Sequence, residues 1–91
     1  MNASHVHGVL ADVTRLVAEL TRLPPNSVHE GDRLLEDLGM DSLQTMELLS
    51  RLSEAYEVDP DMDEVVAALT IADVVGVVER AIAQAPVVAH A

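Results

Sequence analysis

The chain has 91 residues, enough for one domain with its own core and too few for two. Hydrophobic residues make up 49%, chiefly Val, Leu and Ala, but Tyr56 is the only aromatic one, so a single nucleic-acid strand would find almost nothing on which to stack its bases. Sixteen acids against five arginines and no lysine give a net charge of −11, which repels nucleic acid and anionic lipid, and the absence of cysteine excludes disulfides and thiol nucleophiles.

The opening MNASHVHGVL lacks the basic start and long apolar centre of a secretory signal, and no uncharged stretch is long enough to cross a bilayer. The expectation is a soluble cytoplasmic protein. A first helix is predicted over 4–21, because Val6, Val9, Leu10, Val13, Val17 and Leu20 recur at the spacing of one helical face. Ser4 suits its N-cap, and Pro24 and Pro25 stop it.

Residues 22–40 read as a long loop punctuated by Pro24, Pro25, Asn26, Ser27, Gly31 and Asp32. Val28, Leu34, Leu35 and Leu38 are expected to anchor it, with a short helical turn at 33–38. A loop of this length in a small domain points to function.

The second helix is predicted over 42–57. Its inward stripe is Thr45, Leu48, Leu49, Leu52, Ala55 and Tyr56, and its other face carries Leu43, Gln44, Met46, Glu47, Ser50 and Glu54. Asp59-Pro60 closes it. A short third helix over 62–69 offers Val65, Val66 and Leu69 to the core. A fourth over 71–84 has the stripe Ile71, Val74, Val75, Val78 and Ile82, is weakened slightly by Gly76, and opens with Thr70-Ile71-Ala72-Asp73, a capping-box form. Residues 85–91 read as a flexible tail, so 1–91 is expected to be a single domain with its core at about 5–83.

Charge concentrates in the middle. Residues 30–64 hold twelve of the sixteen acids and two of the five arginines, a local charge of −10 out of −11. Such a field steers toward basic protein surfaces.

The stretch Leu38-Gly39-Met40-Asp41-Ser42-Leu43 lies where the loop meets the second helix. Gly39 permits a sharp turn, Asp41 suits the N-cap, and Gln44 is placed to reach back to it. Ser42 then falls in the first helical turn, beside backbone N–H groups with no intrahelical partner. A phosphate ester there meets the positive end of the helix dipole, while the surrounding acids keep it facing solvent. The Asp-Ser-Leu tripeptide alone is common, and an Asp-Ser pair at a helix start is usually a cap.

Its setting is more specific. The run LLEDLGMDSLQTMELLSRLSEAYEVD resembles the signature region of acyl carrier proteins, and the likeness extends over residues 5–83. The resemblance implies an all-α four-helix bundle with a long loop between helices 1 and 2 and a short third helix. It implies 4′-phosphopantetheine, donated by coenzyme A, on Ser42, with Gly39, Asp41 and Leu43 as motif neighbours. It also implies a recognition face of Leu43, Met46, Glu47 and Glu54, flanked by Glu36 and Asp37. The partners it implies are a phosphopantetheinyl transferase, an acyl- or aminoacyl-loading enzyme, and a ketosynthase or other acyl-processing enzyme with a basic docking surface. A monomer without catalysis of its own is expected.

Gln44 stands where many relatives carry an acid, Ser50 where an apolar residue is frequent, and Arg51 adds a positive charge. Leu34 and Tyr56 take places where relatives often use Phe. These departures bear on partner choice. The run Asp59-Pro60-Asp61-Met62-Asp63-Glu64 opens like a calcium loop, but Glu64 replaces the glycine and Thr70 the closing glutamate. His5, His7, His29 and His90 have no metal-ligand spacing, and Ser42 has no nearby histidine to make it a hydrolytic nucleophile. A peptidyl or aminoacyl carrier and an unmodified acidic adaptor are the rival readings; Asp41 before the serine leans toward acyl carriers. The chain's bounds favour a discrete protein. Arginine without lysine, with abundant Ala and Val, leans toward bacterial polyketide or related specialised biosynthesis over fatty-acid synthesis.

Overall fold

The computed structural model describes residues 3–84, with side chains from Gly8 onward. The expected tail, with His90, and the side chains of Ser4, His5, Val6 and His7 lie outside the described residues.

Helix α1 spans Ala3–Thr21 and is broken at Gly8, whose φ of 82° and ψ of 166° are not helical. A positive φ costs glycine little, which is why the break falls there. Ser4 lies inside the helical span, not ahead of it as expected of a cap. Beyond the break, Val13, Leu16 and Val17 are buried, with Val9 and Leu20 packed beside them. Leu10, expected inside, sits at the rim of this arc and is exposed. Arg22 ends the helix in the left-handed region, with φ of 63°.

A single 3-10 turn follows at Pro25–Ser27. The rest of the loop is held by the far end of the chain. Leu34 N donates to Leu69 O at 2.9 Å, Ile71 N to Asp32 O at 3.1 Å and Ala72 N to Glu30 O at 2.8 Å. These bonds satisfy backbone groups that a loop lying on the core would otherwise leave orphaned. Val28, Leu34 and Leu38 anchor as expected, but Leu35 points outward and is 66% exposed. The expected turn at 33–38 closes with Asp37 N and Leu38 N both donating to Arg33 O. Gly39, with φ of 70°, then reverses the chain, and Met40 N donates back to Leu34 O at 2.8 Å.

Helix α2 spans Ser42–Tyr56 and buries Leu48, Leu49 and Leu52. Thr45 and Tyr56 are half-buried, while Ala55, expected inside, is exposed. The helix stops at Glu57 in the left-handed conformation, two residues before the Asp59-Pro60 pair expected to close it. Helix α3, Met62–Ala67, buries Val65 alone. Val66 and Leu69, expected in the core, are 77% and 69% exposed. A six-residue helix has fewer than two turns and turns only Val65 to the core; Val66, 100° round the helix, and Leu69, beyond its end, face elsewhere.

Helix α4, Ile71–Gln84, buries Ile71, Val74, Val77, Val78 and Ala81. Its buried arc is thus rotated from the expected stripe: Val77 and Ala81 replace Ile82, which lies at the exposed edge. The capping box forms, with Asp73 Oδ2 accepting from Leu69 N and Thr70 N, and Thr70 Oγ1 accepting from Asp73 N. These bonds, led by that from Leu69 N–H, hold the Asp73 carboxyl below the usual carboxylate range. Met40, Leu48, Leu52, Ile71, Val13, Val17, Val74 and Val78 are the fully buried side chains among the described residues. Each contributes on the order of 1.5–3 kcal/mol by leaving water. The architecture is the expected all-α bundle, with one short helix and a long first loop; among the described residues the only extended pairing is an isolated bridge between Arg33 and Thr70.

Candidate functional site

Ser42 is the first residue of α2 and is exposed. Three features place it there. Gly39 turns the chain, Met40 is buried at 1% exposure and pins the segment, and Asp41 caps the helix. Asp41 Oδ1 accepts from Gln44 N at 2.9 Å, while its carbonyl accepts from Thr45 N and Thr45 Oγ1, both at 3.0 Å. The N–H groups of Ser42 and Leu43 come too early in the helix for an intrahelical acceptor, so the positive end of the dipole opens beside the Ser42 hydroxyl.

Beside Ser42 lies a groove of about 690 Å³. Its walls are Thr45 and Met46 from α2, Val65 and Val66 from α3, and Leu69 just beyond it; Leu34, Leu35 and Met40 line the loop side. The groove explains why Leu35, Val66 and Leu69 were misplaced in the core by sequence pattern: their apolar side chains face a shared cavity. The available signal was a surplus, since Val65-Val66 in so short a helix offers more apolar surface than one face can bury.

The residues expected to meet partners are not equivalent. Leu43, 76% exposed, and Met46 stand clear of the core. Glu54 is exposed on the same helix. Glu47 is paired, accepting from Arg51 Nη2 at 3.2 Å. Glu36 and Asp37 share Arg33, whose Nη1 meets Glu36 and whose Nε meets Asp37 at 3.4 Å. The Arg33 N–H, at 2.8 Å, and then its guanidinium hold the Asp37 carboxyl below its ordinary range, while Asp37 and Glu36 push Arg33 up. At the loop's end, therefore, the acidic field is partly neutralised by a fixed cation.

Two of the unusual residues make contacts from α2 to α1. Gln44 does not reach back to the cap; its Nε2 donates to Leu20 O at 3.2 Å, satisfying a carbonyl near the end of α1. An acid at that place would have no proton to give. Arg51 bridges Glu47 and Glu19, the latter at 3.7 Å, and so ties α2 to α1. Behind it Arg15 contacts Glu19 and Asp12, and buried Asp12 accepts from the Tyr56 hydroxyl. The acids at 59–64 also have structural tasks: Asp61 Oδ1 accepts from Asp63 N as the cap of α3, and Glu64 pairs with Arg80.

Residues 11–78 match the family described as "Phosphopantetheine attachment site". The acyl carrier protein of Campylobacter curvus (strain 525.92) is 38% identical over 72 residues, covering 79% of this chain and 94% of the relative. The chain belongs to the acyl carrier protein family. Acyl carrier protein 3 of Ralstonia nicotianae is 29% identical over 82% of this carrier and 86% of its own length. A segment amounting to 3% of the non-reducing polyketide synthase tazA of Aspergillus terreus is 35% identical over 85% of this carrier. The prosthetic group of the carrier is a covalently attached phosphopantetheine. Among the described residues, no helix is long and apolar enough to cross a membrane.

Proposed function

We propose that Ser42 is the residue that receives the phosphopantetheine, and that the carrier is a non-catalytic cytoplasmic monomer serving enzymes that act on its cargo. The supporting observation is a serine exposed at the head of α2, capped by Asp41, at the mouth of an apolar groove. The site suits the group: the hydroxyl is open to a transferase, two backbone N–H groups favour the phosphodiester, and Met40 and Asp41 fix the turn beneath it. When attached, the arm supplies a terminal thiol on which acyl groups ride as thioesters.

The chain's own residues have three tasks. Asp41 and Gly39 present Ser42. Thr45, Met46, Val66 and Leu69 line a surface that shelters part of an apolar cargo. Leu43 and Met46, with Glu54 and the partly neutralised Glu47, Glu36 and Asp37, form the face offered to partners: a phosphopantetheinyl transferase, then loading enzymes and a ketosynthase or related acyl-processing enzymes with basic surfaces. Tethering raises the cargo's effective concentration at each partner site.

For the pathway, we propose bacterial polyketide or related specialised biosynthesis over fatty-acid synthesis. The arginine-only, Ala- and Val-rich composition and the likeness to a polyketide synthase segment support it. Intact mass after incubation with coenzyme A and a broad-specificity transferase tests the carrier role. One added phosphopantetheinyl group in the native chain is expected. No gain, together with unimpaired partner binding, favours the acidic adaptor. Loading by aminoacyl but not malonyl-type donors favours a peptidyl carrier.

A further inference from the structure

Helix α3 forms one wall of the groove yet gives the core a single buried side chain, Val65. Its outward side is held by an arginine from the neighbouring helix. Arg80 Nε and Nη2 both lie 2.7 Å from Glu64 Oε1, joining residues sixteen apart in sequence. The guanidinium reaches Glu64 by lying across Gly76: a Cβ at residue 76 would sit 3.2 Å from Arg80 Nη1, tighter than ordinary contact. The helix-weakening glycine in α4 therefore makes room for the arm that crosses it.

We propose that Arg80, Glu64 and Gly76 form a latch that holds α3 against α4 and thereby sets the width of the groove beside Ser42. The consequence for cargo rests on the carrier reading above; the latch itself does not. Arg80 and Glu64 are positioning residues, since neither lines the groove. With the latch closed, Val66 stays on the groove wall across from Thr45 and Met46, while Leu69 is held separately by its backbone bonds to Asp73 and Leu34. With it open, Val65 is the one buried side chain keeping the helix seated, and the wall moves outward to admit a longer acyl group. An ion pair this exposed shifts an equilibrium only severalfold, which suits a wall that yields to its cargo without unfolding the bundle.

The test is amide hydrogen exchange of the full chain in Glu64→Gln, Arg80→Gln and the double variant. Exchange at residues 62–67 is expected to quicken about two- to fivefold in each single variant, with α1 and α2 unchanged. The double variant should be no faster than either single one, because the two substitutions remove one interaction. Unchanged exchange in α3, or effects of the two substitutions that simply multiply, overturns the latch. A second readout is hydroxylamine cleavage of thioesters on the modified chain. Arg80→Gln should change cleavage of a long acyl group severalfold and leave an acetyl group at the native rate. Faster α3 exchange with native cleavage of both refutes the link to the groove. Failure to modify Ser42 strikes the carrier reading alone, and the exchange result still decides the latch.

Discussion

Tyr56→Phe is a sensitive test of how the bundle is held. Asp12 is 6% exposed, on the face of α1 turned to α2, and the Tyr56 hydroxyl donates to its Oδ2. Removing that hydroxyl leaves a buried carboxylate with Arg15, 3.5 Å away, as its remaining ion-pair contact. A hydrogen bond to a charged group contributes about 1.5–3 kcal/mol. Tyr56 is only half-buried and Arg15 still compensates, so the lower end applies, about 1.5 kcal/mol, or roughly 6–12 °C in Tm for a domain of this size. Urea and thermal unfolding followed by circular dichroism at pH 7 measure it. The pH dependence adds a second signature. Burial, with Asp12 behind it, pushes the Tyr56 hydroxyl above its ordinary 10.0. Above pH 10 the unfolded chain gives up this proton while the folded chain keeps it, so native stability falls as pH rises, and Tyr56→Phe should lack that part of the fall. A loss below about 0.5 kcal/mol at pH 7, with the alkaline limb unchanged, would show that the Tyr56 hydroxyl does not hold Asp12.

Three further outcomes are expected. Leu52→Ala, at a fully buried site, should cost about 3 kcal/mol in urea unfolding. Gly39→Ala should cost about 1 kcal/mol, because the added Cβ meets no atom within 4 Å and the penalty comes only from φ of 70°. Asp73→Asn should flatten the acid side of the stability profile: the native carboxylate's depressed pKa gives stability that is present above the unfolded value near 3.8 and lost as pH falls through the folded one.

Sequence pattern locates the helices well where an apolar stripe follows a clear start. The second and fourth helices are legible for that reason, from Gly39's turn with Asp41's cap and from the Thr70–Asp73 capping box. It failed where an apolar residue had two possible destinations. Leu35, Val66 and Leu69 carry no mark that distinguishes a core from a groove, and only the third dimension shows them facing one cavity. Gln44 and Arg51 read from sequence as residues that bear on partner choice, because an unusual residue near a functional serine draws that inference. The structure adds a role within the bundle: Gln44 Nε2 donates to Leu20 O, and Arg51, besides its bond to Glu47, pairs with Glu19, contacts across 24 and 32 residues that no local pattern encodes. The break at Gly8 was missed because a lone glycine is tolerated in a helix, and the apolar stripe runs through it without interruption.

Ser42, fixed by its turn, is the one serine proposed to take the arm. The most direct measurement is fragment mapping of the chain after reaction with coenzyme A and a transferase. Phosphopantetheine is expected on Ser42 alone, with Ser27, Ser50 and Ser53 unmodified and no modification of Ser42→Ala. The arm on any other serine, or equal modification of Ser42→Ala, would contradict the account.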